Sequence, residues 1–452
     1  MEWMISLAQL LLSLSFLVAV HEFGHLLAAK YFGMRVEQFS IGFPPKIWSF
    51  KKGETEYALS AIPLGGYVKI SGMIDESLDT ETMKRDPQPW EFRSKPAWQR
   101  LIVMLGGIFV NVVIGILIFI GLTFIYGDVN YKKEVANERG GFAAGPLATK
   151  LGIQSGDKIL KINGKDYKYI EELYSVSNFL ADSASYTIER DGKILTIDIP
   201  KGFISEFGKG GGAPYFLMPR FSTVIDTVLS GKIADSLGLK KGDRILELQG
   251  TAVQYNDQVQ KITRSFEGDT LRFSVLRGSD TIAFVTPFKA GRQIGYAPSS
   301  KHLKDAEVIT HYSFGESIPL GTERAFGTLF DQITAFKKMI TRELPVADSL
   351  SGPIGIMDAF GTEWNWERFW KLTGVLSLVL AFMNLLPIPA LDGGHVMFLG
   401  YEIITRRKPS DKFLENAQKV GMIILLALMV FVFANDIIKK VNKWRGNTTV
   451  SK

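Results

Sequence analysis

The chain of 452 residues is long enough for several domains, and its hydrophobic content of 46% is concentrated in a few apolar runs. It contains no cysteine, which excludes disulfide bonds and thiolate metal ligands. The formal net charge of +6 does not require a nucleic-acid partner. Much of the excess lies in loops beside the apolar runs, where lysine and arginine orient a membrane protein.

Four apolar runs predict four membrane helices, because about 20 apolar residues span a bilayer as a helix. The spans are expected at residues 1–30, 101–126, 371–392 and 420–438. The first run lacks the basic segment and the small-residue cleavage site of a secretory signal. A true span or a signal anchor is therefore favoured over a cleaved leader.

The first run contains His21-Glu22-Phe23-Gly24-His25, an HExxH motif. Residues i and i+4 of a helix lie on one face, so both imidazoles can reach one zinc ion, and the glutamate can take a proton from water. The alternative is a hydrogen-bonded core histidine pair with a buried acid, which would leave three costly polar groups in lipid without a purpose. The 17 residues from Met4 to Val20 make about 25 Å of helix, so the site is expected towards the cytoplasmic side.

The loop at 31–100 contains a predicted membrane-associated β-hairpin. The segments "ETEYALS" and "GGYVKIS", joined by "AIPLG", alternate like two strands between Glu54 and Ser71. We expect the edge strand, at Tyr67 and Val68, to pair with an unwound substrate segment. The alternative is a hairpin that only packs against the core.

A polar region follows the second span, and one pattern occurs in it twice. "ATKLGIQSGDKILKING" begins at Ala148 and "ADSLGLKKGDRILELQG" begins at Ala234, an offset of 86 residues, and eight of the seventeen aligned positions are identical. Such an offset indicates two copies of a small α+β domain. Their boundaries are expected at 127–221 and 222–300.

Each copy predicts a short helix, a Gly-Asp turn, a strand and a later hairpin, and so resembles a PDZ domain in the circularly permuted bacterial arrangement. The resemblance implies a groove that adds an extended peptide as a strand and holds its C-terminal carboxylate. "APYFLMPR" at 213–220 and "RQIGYAP" at 292–298 are the candidate strands. The alternative is a generic small β-rich domain without a binding groove.

The segment at 301–370 has apolar residues at helical spacing between Tyr312 and Leu344. This spacing predicts amphipathic helices beside the outer mouth of the site. Packing of the same segment against the second repeat is an equal alternative.

The third run ends in "NLLPIPALDGGH", from Asn384 to His395. Zinc requires a third protein ligand, and Asp392 and His395 are both candidates. An unpaired carboxylate at membrane depth would be costly, which favours a metal partner for Asp392. The alternative makes Asp392 a turn residue before two glycines.

Two loops, at 31–100 and 393–419, are rich in lysine and arginine. The positive-inside rule therefore places both loops in the cytoplasm and both termini outside. The tail at 439–452 is also basic and disagrees with this orientation, but the flank of the first helix usually dominates.

HExxH in a first membrane helix, paired with N-x-x-P-x-P-x-L-D-G in a later one, resembles the site-2 protease family of intramembrane zinc metalloproteases. The tandem repeat between spans two and three resembles its regulator-of-sigma-E branch. The resemblance implies a polytopic α-helical protein of the bacterial inner membrane, with four transmembrane helices, a membrane-associated β-hairpin and two inserted PDZ domains on the periplasmic side.

The resemblance also implies roles for individual residues. It implies zinc ligands at His21, His25 and Asp392, a general base and acid at Glu22, a substrate-binding amide at Asn384, and a helix break at Pro387. The second span reads "LGGIFVNVV", where the family has Gly-Pro and then a small residue before an asparagine. Asn111 is expected to fill the role of that second-span asparagine.

The expected function is cleavage within the membrane of single-span proteins already shortened outside, with an anti-sigma factor or remnant signal peptides as substrates. The expected partners are these substrates, the lipid bilayer, and peptide C-termini at the PDZ grooves. One alternative is a catalytically inactive, membrane-anchored PDZ scaffold or receptor, against which intact Glu22 and Asp392 argue. Another is zinc transport, which would need a chain of polar residues through the bilayer.

Overall fold

The computed structural model describes residues 2–73, 86–209 and 216–450. The helices are α1 Glu2–Tyr31, α2 Ala97–Tyr126, α3 Glu134–Asn137, α4 Pro146–Lys150, α5 Val176–Leu180, α6 Glu206–Lys209, α7 Ile233–Ser236, α8 Asn256–Arg264, α9 Lys301–Lys304, α10 Phe314–Ile340, α11 Val346–Ser349, α12 Pro353–Phe360, α13 Trp366–Leu385, α14 Asp392–Thr405 and α15 Asp411–Val450.

Within the described residues, the strands form six small sheets. They are β1 Val36–Lys52, β2 Thr55–Ile70, β3 Asp128–Tyr131, β4 Phe142–Ala144, β5 Lys158–Ile162, β6 Lys165–Asp166, β7 Ser185–Arg190, β8 Lys193–Asp198, β9 Leu217–Pro219, β10 Ile225–Val228, β11 Arg244–Leu248, β12 Thr251–Ala252, β13 Thr270–Arg277, β14 Asp280–Pro287, β15 Tyr296–Pro298 and β16 Glu307–Thr310.

The chain divides into two compact units. The membrane unit contains residues 1–127, 311–338 and 350–442, and the repeat unit contains most of the remainder, chiefly 128–310. The prediction of a membrane protein with four spanning helices is confirmed by length and composition. The four helices are Trp3–Tyr31, Ala97–Tyr126, Trp366–Leu385 and Lys412–Val441.

The third span is shorter than the predicted 371–392. Helix α13 ends at Leu385, and Asp392 begins the separate helix α14. Prolines at 387 and 389 lie between the two helices, and proline cannot continue a helix because it has no backbone N–H. Consequently the expected cytoplasmic loop at 393–419 is partly helical.

The predicted hairpin within Glu54–Ser71 is wrong in its pairing. Both of its segments belong to β2, and both pair with β1: Ser40 lies opposite Ala58 on one side and Tyr67 on the other. The first part of β1 therefore runs between the two halves of β2. Alternation in the sequence identifies the strands, but burial against α1 and α2 selects the central one.

Helix α10 packs within the membrane unit, against α2. A Cβ atom added to Gly321 would lie 2.5 Å from the Cα atom of Ile120, so the two backbones are in close contact. Arg324 also donates from Nη1 to the hydroxyl of Thr123 at 3.0 Å. The apolar residues at helical spacing that belong to α10 are thus explained by packing on a membrane helix rather than on the second repeat.

The two sequence repeats have the same strand order. Each forms one four-stranded sheet, β6-β5-β7-β8 or β12-β11-β13-β14, and one two-stranded sheet, β4-β9 or β10-β15. The shared Gly-Asp turn has the same function in both copies. Its aspartate, Asp157 or Asp243, is 1% exposed and accepts hydrogen bonds from an arginine of the later hairpin, Arg190 or Arg277.

The candidate strand at 213–220, near the end of the first repeat, falls partly outside the described residues. Gly210 to Tyr215, which include the start of "APYFLMPR" and most of the glycine-rich segment between the repeats, are not described.

Candidate metal centre

Helix α1 carries the HExxH motif where it meets α2. Its geometry places His21 and His25 one turn apart, with their Nε2 atoms 3.2 Å from each other. The two helices approach closely because glycines meet at the crossing: a Cβ atom added to Gly24 would lie 2.3 Å from the carbonyl oxygen of Gly106. The backbone of α2 therefore comes within reach of the imidazoles.

Asp392 reaches the two histidines from the other end of the chain. It is the first residue of α14, directly after the proline-containing break that follows Leu385. Its Oδ2 atom lies 3.1 Å from Nε2 of His21 and 3.4 Å from Nε2 of His25. The break therefore positions the carboxylate that the sequence proposed as third ligand.

These three atoms have the spacing of zinc ligands. With zinc–ligand distances of about 2.0–2.1 Å, the ligand atoms of a tetrahedral site are about 3.3 Å apart, and the separations here are 3.1, 3.2 and 3.4 Å. Oδ2 of Asp392 is buried without a hydrogen-bond partner. A cation held between the three atoms would satisfy it. In the described part of the chain, no second cluster of histidine and acidic side chains has comparable spacing.

The cluster opens into a cavity of about 660 Å³ within the membrane unit. Glu22 lines this cavity, and its carboxylate accepts a hydrogen bond from the backbone N–H of Val68. His395 lines the cavity as well, one turn after Asp392 along α14. Asp392 and His395 were the two candidates for the third ligand. Of these, Asp392 is the residue whose ligand atom lies close to both histidines.

The last turn of α13 places Asn384 beside the cluster. Its Nδ2 atom lies 3.2 Å from Nε2 of His21, and the residue lines the cavity. Pro387 is exposed and lies in the break after α13. Its contribution visible in the structure is to end the helix.

Of the two predicted strand residues, Val68 is the one that directs its backbone out of the sheet. The N–H of Ser71 donates to the carbonyl of Arg35 at 2.9 Å, so odd-numbered residues in this part of β2 face β1. Val68, by alternation, faces the opposite side, which agrees with its hydrogen bond to Glu22. Tyr67 also lines the cavity, but its backbone groups face β1.

Helix α2 contributes two groups that the sequence did not assign. The carbonyl of Val103 accepts a hydrogen bond from Nδ1 of His25 at 2.8 Å. A Cβ atom added to Gly107 would lie 2.5 Å from Nε2 of the same histidine. Asn111, which the family resemblance had singled out, lies one further turn along. The spacing of four is visible in the sequence, but which face of α2 meets α1 is not.

The profile described as "Peptidase family M50" matches residues 9–428. This chain belongs to peptidase family M50. The match covers most of the chain and includes both motif-bearing segments, so the resemblance to site-2 proteases is confirmed.

Curated relatives extend over nearly the whole length. The "Regulator of sigma E protease" of Haemophilus influenzae is 29% identical over 461 residues, covering 97% of this chain and 100% of that protein. The "Regulator of sigma-E protease RseP" of Escherichia coli K12 is 28% identical over 451 residues, covering 95% and 98%. A protein of Neisseria meningitidis, provisionally named a zinc metalloprotease, is 29% identical over 440 residues, covering 93% and 96%.

Together, the family, the relatives and the four spans make this chain an intramembrane zinc metalloprotease. The predicted enzyme class and the predicted zinc cofactor are confirmed. The His-His-Asp cluster fits that ion.

Substitution of the third ligand distinguishes Asp392 from His395. Asp392→Ala should weaken zinc binding by more than about 100-fold, beyond the 10–100-fold effect of an outer-shell change, because it removes one of three protein ligands. His395→Ala should retain zinc. Zinc per chain is measured by mass spectrometry after dialysis of the detergent-purified protein against a graded chelator. Zinc loss in His395→Ala with retention in Asp392→Ala would reverse the assignment.

Proposed function

We propose that this protease hydrolyses peptide bonds inside the transmembrane segments of single-span proteins already trimmed on the outer side of the bacterial inner membrane. The observation that carries the proposal is the meeting of His21, His25 and Asp392 in one cavity with Glu22, within a bundle of membrane helices. Peptide hydrolysis needs water, and this cavity provides space for water and for a peptide inside an otherwise apolar unit.

In this proposal His21, His25 and Asp392 hold the zinc ion. When bound, zinc supplies Lewis acidity to a water molecule and to the peptide carbonyl. Glu22 takes the proton from the attacking water and passes it to the leaving amine. Its hydrogen bond from Val68 fixes the carboxylate at the wall of the cavity, beside the histidine pair.

A helical substrate must be unwound before cleavage, because its carbonyls are engaged in internal hydrogen bonds and lipid offers no replacement. The outward edge of β2 at Val68 provides backbone groups for an extended segment beside Glu22. Asn384, which lines the same cavity, provides an amide donor. We propose that these two elements hold the unwound peptide across the zinc position.

The orientation proposed from the loop charges has the site on the cytoplasmic side and the repeats in the periplasm. Bulky outer domains on a substrate would then meet the repeats before the site, whereas trimmed substrates would pass. The relatives are named regulators of sigma E. This supports an anti-sigma factor of an envelope-stress pathway as substrate, and remnant signal peptides fit the same size requirement.

Glu22→Gln tests the base and separates the protease from an inactive scaffold. The substitution removes the proton acceptor but no zinc ligand. Cleavage of a single-span test substrate should therefore fall by about 10²–10⁴-fold, while zinc content stays unchanged. Product is followed by gel and mass spectrometry with detergent-purified protein. Undiminished turnover would disprove the role of Glu22, and a wild type that binds the substrate without cutting it would support the scaffold.

Val68→Pro tests the strand edge. Proline removes an N–H that points out of the sheet, so the fold of β2 is retained while the hydrogen bond to Glu22 is lost and the ring obstructs the edge proposed for the substrate. Cleavage should slow by at least about tenfold, which corresponds to about 1.4 kcal/mol, and zinc content should not change. A turnover equal to that of the wild type would show that the β1–β2 sheet only packs against the core.

The two repeats differ in the side chain beside the strand edge to which a peptide would add. In the first, the N–H of Arg220 donates to the carbonyl of Gly141, so the even-numbered residues of β9 face β4 and Leu217 faces the other edge. The hydroxyl of Tyr174 donates to the carbonyl of Leu217. It occupies the acceptor that an added peptide strand would need.

In the second repeat the equivalent edge has a different neighbour. The N–H of Leu229 donates to the carbonyl of Gly295, so Tyr296 of β15 faces the outer edge by the same alternation. The repeat offset of 86 residues places Gln260 at the position of Tyr174, and Gln260 is exposed. We propose that the second repeat is a PDZ domain with an open peptide groove, and that the groove of the first is closed.

Substitution of Gln260 and of Tyr174 tests this difference between the two repeats. Gln260→Tyr should weaken binding of a fluorescent peptide with an apolar C-terminal residue and a free carboxylate by about tenfold, because one backbone hydrogen bond is blocked. Tyr174→Phe is the matched control and should not weaken it. Binding is measured by fluorescence anisotropy with the full chain. A peptide with an amidated C-terminus shows how much of the binding depends on the free carboxylate. Binding that survives Gln260→Tyr would contradict an open second groove.

A further inference from the structure

One face of α2 lies against both imidazoles of the cluster. Val103, Gly107 and Asn111 are spaced by four residues and therefore follow one another along the same side of the helix. All three are 0% exposed or fully enclosed by neighbours. Each has a separate relation to the histidine pair, and together they form what we call the α2 face.

The middle of the α2 face is a space that only glycine leaves open. A Cβ atom on Gly107 would lie 2.5 Å from Nε2 of His25 and 2.7 Å from Cε1 of His21. These distances are shorter than any carbon makes in a folded protein without a shift of its neighbour. The imidazoles therefore pack directly on the backbone of α2, and the residues one turn away on either side reach their outer nitrogens.

His25 shows how this face sets a tautomer. Its Nε2 atom points at Asp392, and its Nδ1 atom lies 2.8 Å from the carbonyl oxygen of Val103. A carbonyl only accepts, so Nδ1 carries the proton and donates it. The neutral ring then has an unprotonated Nε2, which is the form that binds a metal.

His21 has the same requirement but a different neighbour. As a metal ligand through Nε2, which lies 3.1 Å from Oδ2 of Asp392, His21 carries its proton on Nδ1, and this N–H needs an acceptor. The group at Nδ1 is the side-chain amide of Asn111, with Nδ2 at 3.2 Å. An amide nitrogen cannot accept, whereas the amide oxygen can.

The amide of Asn111 satisfies His21 in only one of its two orientations. With Nδ2 towards the ring, two donors face each other, and Oδ1 is buried without a hydrogen-bond partner. A half-turn of the amide exchanges the two atoms within the same volume. Oδ1 then accepts the Nδ1–H of His21. The asparagine backbone is held independently, since its carbonyl accepts from the hydroxyl of Ser377 at 2.7 Å.

We propose that Asn111 is a positioning residue for the metal centre, whose amide oxygen accepts the Nδ1–H of His21 and selects the tautomer with a free Nε2. It does for His21 what the carbonyl of Val103 does for His25. The inference rests on the proposed ligand role of His21. Loss of an outer-shell partner of a metal-bound histidine typically weakens metal binding by about 10–100-fold.

The test compares Asn111→Asp with Asn111→Leu. Aspartate keeps an acceptor in the same place, and leucine keeps a similar volume without one. Zinc dissociation constants are measured by chelator competition on the detergent-purified full chain. Asn111→Leu should weaken zinc binding by about 10–100-fold, and Asn111→Asp should stay near the wild type. Thr123→Val, a polar-to-apolar change at the far end of the same helix, is the control and should bind zinc as the wild type does.

A coupling measurement separates positioning from a merely structural role. In a His21→Ala background Asn111→Leu should cause no further loss of zinc affinity, because its effect passes through the missing ring. Wild-type affinity in Asn111→Leu, equal losses in Asn111→Asp and Asn111→Leu, or additive losses with His21→Ala would each overturn the inference. Undiminished zinc binding in His21→Ala alone would instead contradict the proposed ligand set.

Discussion

The main physical constraint on the membrane unit is the free-energy cost of burying a carboxylate and two imidazoles among membrane helices. Oδ2 of Asp392 has no hydrogen-bond donor, yet two ring nitrogens face it at 3.1 and 3.4 Å. In an apolar surrounding a buried carboxylate needs an opposite charge, and a cation held between the three atoms would supply it. The close crossing at Gly24 and Gly106 and the break after Leu385 both serve to bring these atoms to one point.

The elements that build the metal centre also line one cavity. Helix α13 ends at Leu385, one residue after Asn384, and Asn384 lines this cavity together with Tyr67 and Val68 of β2. A membrane helix offers its own backbone no alternative partners in lipid. In the proposed function, a strand edge and polar side chains beside the zinc position replace the hydrogen bonds that the unwound helix loses, and Val68 and Asn384 are the candidates in this cavity.

The repeat unit shows that two copies of a sequence pattern keep one strand order while differing at a strand edge. The two copies share strand order and the buried aspartate–arginine pair. They differ at the edge where a peptide would add, because a tyrosine hydroxyl reaches the backbone of β9 and the equivalent residue near β15 is an exposed glutamine. Under the proposal that only the second groove is open, one side chain accounts for the difference, because strand addition depends on a few backbone hydrogen bonds.

The sequence by itself determined the features that depend on short chain separations. The four spans follow from run length, the HExxH pair from the i, i+4 geometry of a helix, and the two repeats from an offset of 86 residues. The proline break was also readable, because proline lacks the N–H that a helix needs.

Only the tertiary structure decided which distant groups meet. The pairing of β1 with both halves of β2 depends on burial against α1 and α2, which alternation does not encode. Asp392 and His395 share one turn of α14, and the packing of that helix brings the carboxylate to the histidines. Gly107 and Asn111 acquire their relation to the imidazoles in the same way, because the face that α2 turns towards α1 is set by the close fit of glycine backbones at the crossing.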